Sequence, residues 1–174
     1  YEPATNKYWF NYQGDHYFTP ASNTKIPTCY AAMKYLGDSL DGIIKMEDYS
    51  TILILPTGDP TLLHPDFRNQ PVIDFLQKTT KKIYVWDLQW KEEPLGAGWS
   101  WDDYNDSYMA ERSPLPVYGN IIKWTQENNG IDPSVVYSSP EVNWQVDFDT
   151  AQSSNFFVKR SVAENHYTIT EGKE

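Results

Sequence analysis

Pro27 lies one residue inside the strongest helical pattern of this 174-residue chain. Ile26, Cys29, Tyr30, Met33 and Leu36 recur at a spacing that lines one face of an α-helix. A proline within a helix removes a hydrogen bond and clashes with the preceding turn, whereas the first turn tolerates it. The helix is therefore predicted to begin at or just after Ser22 and to end at Gly37, where a left-handed cap belongs. Ser22 then stands at the positive, donor-rich end of that helix. Cys29, the lone cysteine, forbids an intrachain disulfide and reads as a small buried apolar residue.

Elsewhere the patterns are shorter. Lys7–Gln13 is aromatic-rich and runs into Gly14-Asp15, as a strand entering a turn would. Thr51–Leu55 reads as a buried strand stopped by Pro56, Thr57–Pro60 as a turn, Val72–Lys78 as a short helix and Ile83–Trp86 as a further strand. Beyond residue 90 come β-branched, aromatic runs at Val135–Tyr137, Val142–Phe148, Phe156–Lys159 and His166–Thr170, the pattern of a small β-rich unit. The charge changes at the same place. Residues 1–90 carry 8 basic and 10 acidic side chains, residues 91–174 carry 6 and 14. With the Gly/Pro-rich stretch Glu92–Gly98, this places a boundary near residue 90. The expected class is α+β, with segments 1–88 and 89–174.

Several function classes fall away. A net charge of −10 repels nucleic-acid phosphates. The longest aliphatic run, Ile52–Leu55, is far short of the ~20 residues of a spanning helix. There is neither an initiator Met nor a charged-then-apolar leader, so any signal peptide is expected outside this chain. No H-E-x-x-H, C-x-x-C or P-loop pattern occurs, and His16, His64 and His166 have no partner at ligand spacing. No metal or cofactor is expected.

One pattern can carry chemistry. Ser22-Asn23-Thr24-Lys25 has the spacing S-x-x-K. Residues three apart share a helix face, so the Lys25 amine can approach the Ser22 hydroxyl. A serine becomes a nucleophile when a neighbouring base takes its proton, and a lysine can be that base when burial or nearby positive charge favours its neutral form. Backbone N–H groups at the helix start can stabilise an oxyanion. With 12 serines and 11 lysines, roughly one such match arises by chance, so position rather than pattern gives it weight. A capping serine beside a solvated lysine is the other reading. Trp99-Ser100-Trp101-Asp102-Asp103 similarly reads as ordinary packing with solvated acids, or as a pocket for a cationic group.

Phe18-Thr19-Pro20-Ala21-Ser22-Asn23-Thr24-Lys25 resembles the first active-site motif of the class-C low-molecular-mass penicillin-binding proteins, serine D-alanyl-D-alanine carboxypeptidases/endopeptidases. Thr57-Gly58-Asp59-Pro60-Thr61-Leu62 is similar to that family's G-D-P segment, and Gly98–Asp103 to its G-W-x-W-D-D segment. The resemblance implies a serine β-lactamase/transpeptidase-like domain, partial here over residues 1–88, followed by a β-rich inserted domain at 89–174. It implies Ser22 as the acylated nucleophile and Lys25 as its proton acceptor. It implies Asp103 and Tyr108 as substrate-binding residues that hold the diamino-acid side chain. Peptidoglycan stem peptides and β-lactam antibiotics are the implied partners, and the bacterial cell envelope the implied location.

The family's other two motifs fit less well. No K-[ST]-G occurs, and Ser153-Ser154-Asn155, which fits S-x-N, lies among the strands of the expected insertion. The chain is thus expected to be an internal fragment holding one motif of three, inactive by itself. A serine β-lactamase-like hydrolase shares S-x-x-K, but no carboxylate can be assigned to place its deacylating water. A non-catalytic peptidoglycan-binding module using the Trp/Tyr surface is the alternative from another class.

Overall fold

The computed structural model describes residues 1–127, 135–151 and 153–173. Contacts divide the chain into two units, Tyr1–Leu40 and Asp41–Glu174.

In the first unit a 3-10 turn, Ala21–Thr24, runs directly into helix α1 (Lys25–Leu36). Pro27 is the third residue of α1, within the turn that tolerates proline. The Thr24 hydroxyl donates to the Ala21 carbonyl (2.9 Å) and the Thr28 hydroxyl to the Thr24 carbonyl (3.0 Å), which ties the turn to the helix. Gly37 ends α1 at φ +83°, a conformation that only glycine adopts cheaply.

Two expectations fail here. Lys7 forms an isolated bridge to Glu2, and residues 8–13 form no strand. Asn6 and Gln13 have φ of +51° and +53°, which turns the chain at both ends, and no second strand lies beside it. Cys29 is exposed rather than buried. Helical spacing marks the face on which Cys29 sits, but no residue of α1 is buried, so that face has no apolar layer packed on it.

The second unit opens with a three-stranded sheet in the order β1 (Ile43–Glu47), β2 (Thr51–Pro56), β3 (Lys82–Val85). β1 and β2 are antiparallel; β2 and β3 are parallel and joined through helix α2 (Pro71–Lys78). Ile52 and Ile54 of the central strand are only 1% and 2% exposed. Alternation puts both on one face. That face carries α2: Lys45 lies opposite Ile54, and its ammonium is 4.5 Å from the Phe75 ring of the helix. Gly42 is needed at the start of β1, since a Cβ there would come within 2.9 Å of Val72 on α2.

β1 was not anticipated, because Lys45 and Glu47 interrupt its apolar pattern. As an edge strand it leaves them half-exposed, paired at 3.1 Å, while Lys81 reaches Glu47 from the segment before β3. Asp48 closes the β1–β2 turn by accepting from the Ser50 and Thr51 amides (2.8 and 2.7 Å) and the Thr51 hydroxyl. Those donors hold its carboxyl down at about 2. β2 continues through Pro56, the residue expected to stop it. Pro56 is its last position, where β3 no longer runs alongside.

From residue 89 to 122 the chain is irregular, with 3-10 turns at Trp101–Asp103, Ser107–Met109 and Tyr118–Asn120. The Gly58 amide donates to the Pro114 carbonyl (2.8 Å) and the Tyr118 amide to the Leu62 carbonyl (3.0 Å). β4 (Lys123–Glu127) and β5 (Val135–Ser139) form an antiparallel pair. β4 is a second strand that sequence patterning missed, since Lys123, Gln126 and Glu127 leave little apolar alternation. β6 (Gln145–Phe148) and β7 (Phe157–Arg160) flank β8 (His166–Thr170), which is parallel to β6 and antiparallel to β7. Of the Val142–Phe148 run only the last four residues pair. Gln126 joins β4 to the segment after β8, bonding the Gly172 amide at 2.8 Å and its carbonyl at 3.0 Å. Among the described residues no helix is long and apolar enough to cross a membrane.

Truncating Ile54 to alanine should remove ~2–5 kcal/mol of stability, read from the urea midpoint of the native protein. A loss below about 1 kcal/mol would show that the α2-covered face of β2 is not a core.

Candidate active site

The four expected site residues form two pairs, one in each unit. Ser22 and Lys25 are the first. Side chains three apart nearly eclipse in a 3-10 turn, and Ser22 lies in such a turn immediately ahead of Lys25. Lys25 Nζ accordingly donates to Ser22 Oγ at 2.9 Å. The Lys25 amide also bonds the Ser22 carbonyl, which fixes the backbone between the two side chains. Ala21, just before the serine, has φ +45°, an uncommon conformation for a residue with a Cβ. Both side chains of the pair are exposed.

Asp103 and Tyr108 are the second pair. Asp103 ends the 3-10 turn Trp101–Asp103, and Tyr108 is central in the turn Ser107–Met109. The Asp106 amide bonds the Asp103 carbonyl (2.8 Å) and the Met109 amide bonds the Asp106 carbonyl (2.9 Å), so consecutive tight turns fold the five-residue interval back on itself. The Tyr108 hydroxyl donates to Asp103 Oδ2. Met109, buried beside the exposed Tyr108, anchors the turn. Of the neighbouring indoles, Trp101 is 84% exposed, whereas Trp99 has the Arg112 guanidinium 6.0 Å from its ring. One of the two aromatic faces beside the acids is therefore already taken by a cation of the protein itself.

Arg160, in a run Val158–Arg160 that also resembles the family, meets polar groups of this region (Tyr104, Asn105 and Glu111) not singled out from sequence. Glu111 accepts from Arg160 (3.0 Å) and from the Tyr104 hydroxyl (3.2 Å), and the Arg160 amide donates to Asn105 (2.7 Å). These partners are up to 55 residues apart, and no local pattern announces them.

The sequence profile of the D-Ala-D-Ala carboxypeptidase 3 (S13) family matches residues 2–172. The chain belongs to that family. Its mixed helices and small sheets are similar to the crystal structure of penicillin binding protein 4 (dacB) from Haemophilus influenzae, with a TM-score of 0.62 and 19% identity over 96% of this chain. At that identity the likeness is one of fold. This S13 chain spans 41% of the length of that protein. No curated protein matches it.

The second pair of this S13 chain has a measurable signature. The hydrogen bond to Asp103 pushes the Tyr108 phenol up to about 12, with desolvation and the charges of Asp103 and Asp106 adding to it. The folded value lies above the ordinary one of about 10, so the bond contributes fully below pH ~10 and is lost as the pH rises through about 12. A difference titration of wild type against Tyr108→Phe should show no tyrosinate from this residue until well above pH ~10, and Asp103→Asn should bring it back towards that value. A Tyr108 that ionises near 10 in the wild type would show the bond does not form.

Proposed function

We propose that this chain contributes the nucleophile and part of the substrate site of a serine D-Ala-D-Ala carboxypeptidase acting on peptidoglycan stem peptides in the bacterial cell envelope. The observation that carries this reading is the 2.9 Å contact of Lys25 Nζ with Ser22 Oγ at the start of α1, in a chain of the S13 family. Ser22 Oγ attacks the carbonyl carbon of the penultimate D-Ala while Lys25 Nζ, as a neutral amine, takes its proton. Backbone N–H groups at the helix start stabilise the oxyanion. On collapse the C–N bond breaks, Lys25 returns the proton to the departing D-Ala amine, and the acyl group is left as an ester on Ser22. Water then hydrolyses the ester. A β-lactam ring, opened by the same attack, leaves an ester of the same kind. The neutral amine requires desolvation of this exposed pair, which a bound substrate would supply.

Asp103, with Tyr108 holding one of its oxygens, receives the side-chain ammonium of the stem peptide's diamino acid. Residues 1–88 belong in this reading to the transpeptidase-like domain and residues 89–174 to an insertion in it. The observation that favours an insertion is the change from α1, α2 and the first sheet to 3-10 turns and β4–β8 beyond residue 88.

Intact-protein mass spectrometry of the full-length protein after penicillin treatment should show one covalent adduct, whereas residues 1–174 alone should show none. Ser22→Ala should abolish it, and Lys25→Ala should slow its formation by ~10²–10⁴. An adduct that survives Ser22→Ala overturns the assignment, and a wild type that never labels favours a non-catalytic wall-binding role.

Asp103→Asn should act on a different step. A charged hydrogen bond is worth ~1.5–3 kcal/mol, so kcat/KM for stem peptides with a free side-chain ammonium should fall roughly ten- to a hundredfold. Peptides lacking that ammonium should be cleaved as before. Equal losses on both would make Asp103 structural.

A further inference from the structure

Asp103 and Tyr108 lie on a loop whose two ends meet at a single side chain. The Arg112 amide donates to the Pro94 carbonyl at 2.7 Å, closing the segment 94–112 at its base. The Arg112 guanidinium then spreads over the incoming strand of that loop. Nε donates to the Glu93 carbonyl (3.1 Å), Nη2 to the Leu95 carbonyl (3.2 Å), and Nη1 pairs with the Glu92 carboxylate (3.2 Å). Its Cζ lies 6.0 Å from the centre of the Trp99 ring, which also packs so closely on Gly96 that a Cβ there would approach the indole to 2.5 Å. Trp99 leads by one residue into the 3-10 turn that ends at Asp103.

We propose that Arg112 is a positioning residue for the ammonium-binding pair, clasping the base of the 94–112 loop so that Asp103 and Tyr108 meet at its tip. This rests on the reading of Asp103 as the ammonium acceptor. The ion pair with Glu92 is half-exposed and contributes little by itself. The two carbonyls and the Trp99 face are what need a planar fork. A lysine has one compact donor group and cannot span carbonyls on Glu93 and Leu95 while covering an indole. The loop has a second support, since Tyr104 and Asn105 are held by Glu111, Ser161 and Arg160. Loss of Arg112 therefore loosens the 92–103 side of the loop and leaves the fold standing.

The test uses the full-length protein with Arg112→Ala and Arg112→Lys. Benzylpenicillin carries no ammonium for Asp103 to receive, so its labelling of Ser22 should be unchanged in both. Discrimination between ammonium-bearing and ammonium-free peptides should fall roughly tenfold or more in Arg112→Ala, as misplacement of a binding group does, with lysine restoring little. The Tyr108 titration should move back towards its ordinary value in the same variants. Tyr108 and discrimination both unchanged in Arg112→Lys and Arg112→Ala would overturn the clasp. If Arg112→Ala does not fold, Arg112→Lys decides by the same two readouts. If Asp103→Asn leaves discrimination intact but Arg112 variants still shift Tyr108, the clasp stands and the ammonium role of Asp103 falls.

Discussion

Each of the two three-stranded sheets depends on a central strand whose backbone is satisfied on both edges. β2 lies between an antiparallel and a parallel neighbour, and β8 does the same in the other sheet. A strand so placed can turn its side chains away from water without leaving amides unpaired. The most completely buried side chains follow from this: Ile52 and Ile54 on β2, Ile169 on β8. The flanking strands remain half-exposed and carry the charged pairs, as β1 does with Lys45 and Glu47. The first unit has no sheet and buries none of its side chains, so its order comes from local hydrogen bonds along the 3-10 turn and α1.

Both candidate pairs are made by short intervals. Ser22 and Lys25 meet because a 3-10 turn nearly eclipses residues three apart; Asp103 and Tyr108 meet because consecutive tight turns return the chain on itself. Contacts of this kind need little from the remainder of the fold to form. Their electrostatics differ. The first pair is exposed and its hydrogen bond lies in solvent. The second has a phenol already raised by the neighbouring carboxylate and a loop base fastened by one arginine.

The legible elements were those with a strong local pattern, even where, as in α1, no apolar layer packs on it. α1 was read from its apolar spacing and the position of Pro27, α2 from Val72, Ile73, Phe75 and Leu76, and β8 within its observed bounds. β1 and β4 were missed because an edge or a hairpin strand keeps polar residues without cost, which erases alternation. The aromatic run at residues 7–13 failed in the other direction. Its residues favour strands, yet a strand exists only where a partner supplies the second half of each hydrogen bond. Cys29 failed for a related reason, since spacing identifies a face of a helix and says nothing about what covers it.

The sequence by itself determined the S-x-x-K pair, the helix that presents it, the W-D-D segment and, through these, the family. All are set by residues within a turn or two of each other, where steric and hydrogen-bonding rules are local. Tertiary structure alone decided that Arg112 would close the loop carrying Asp103, that it would cover Trp99, and that Arg160 would reach Glu111. Those groups are 13 to 49 positions apart in the chain. Nothing in a one-dimensional pattern specifies which distant carbonyl a guanidinium will find. That choice belongs to the packing that brings the two segments together.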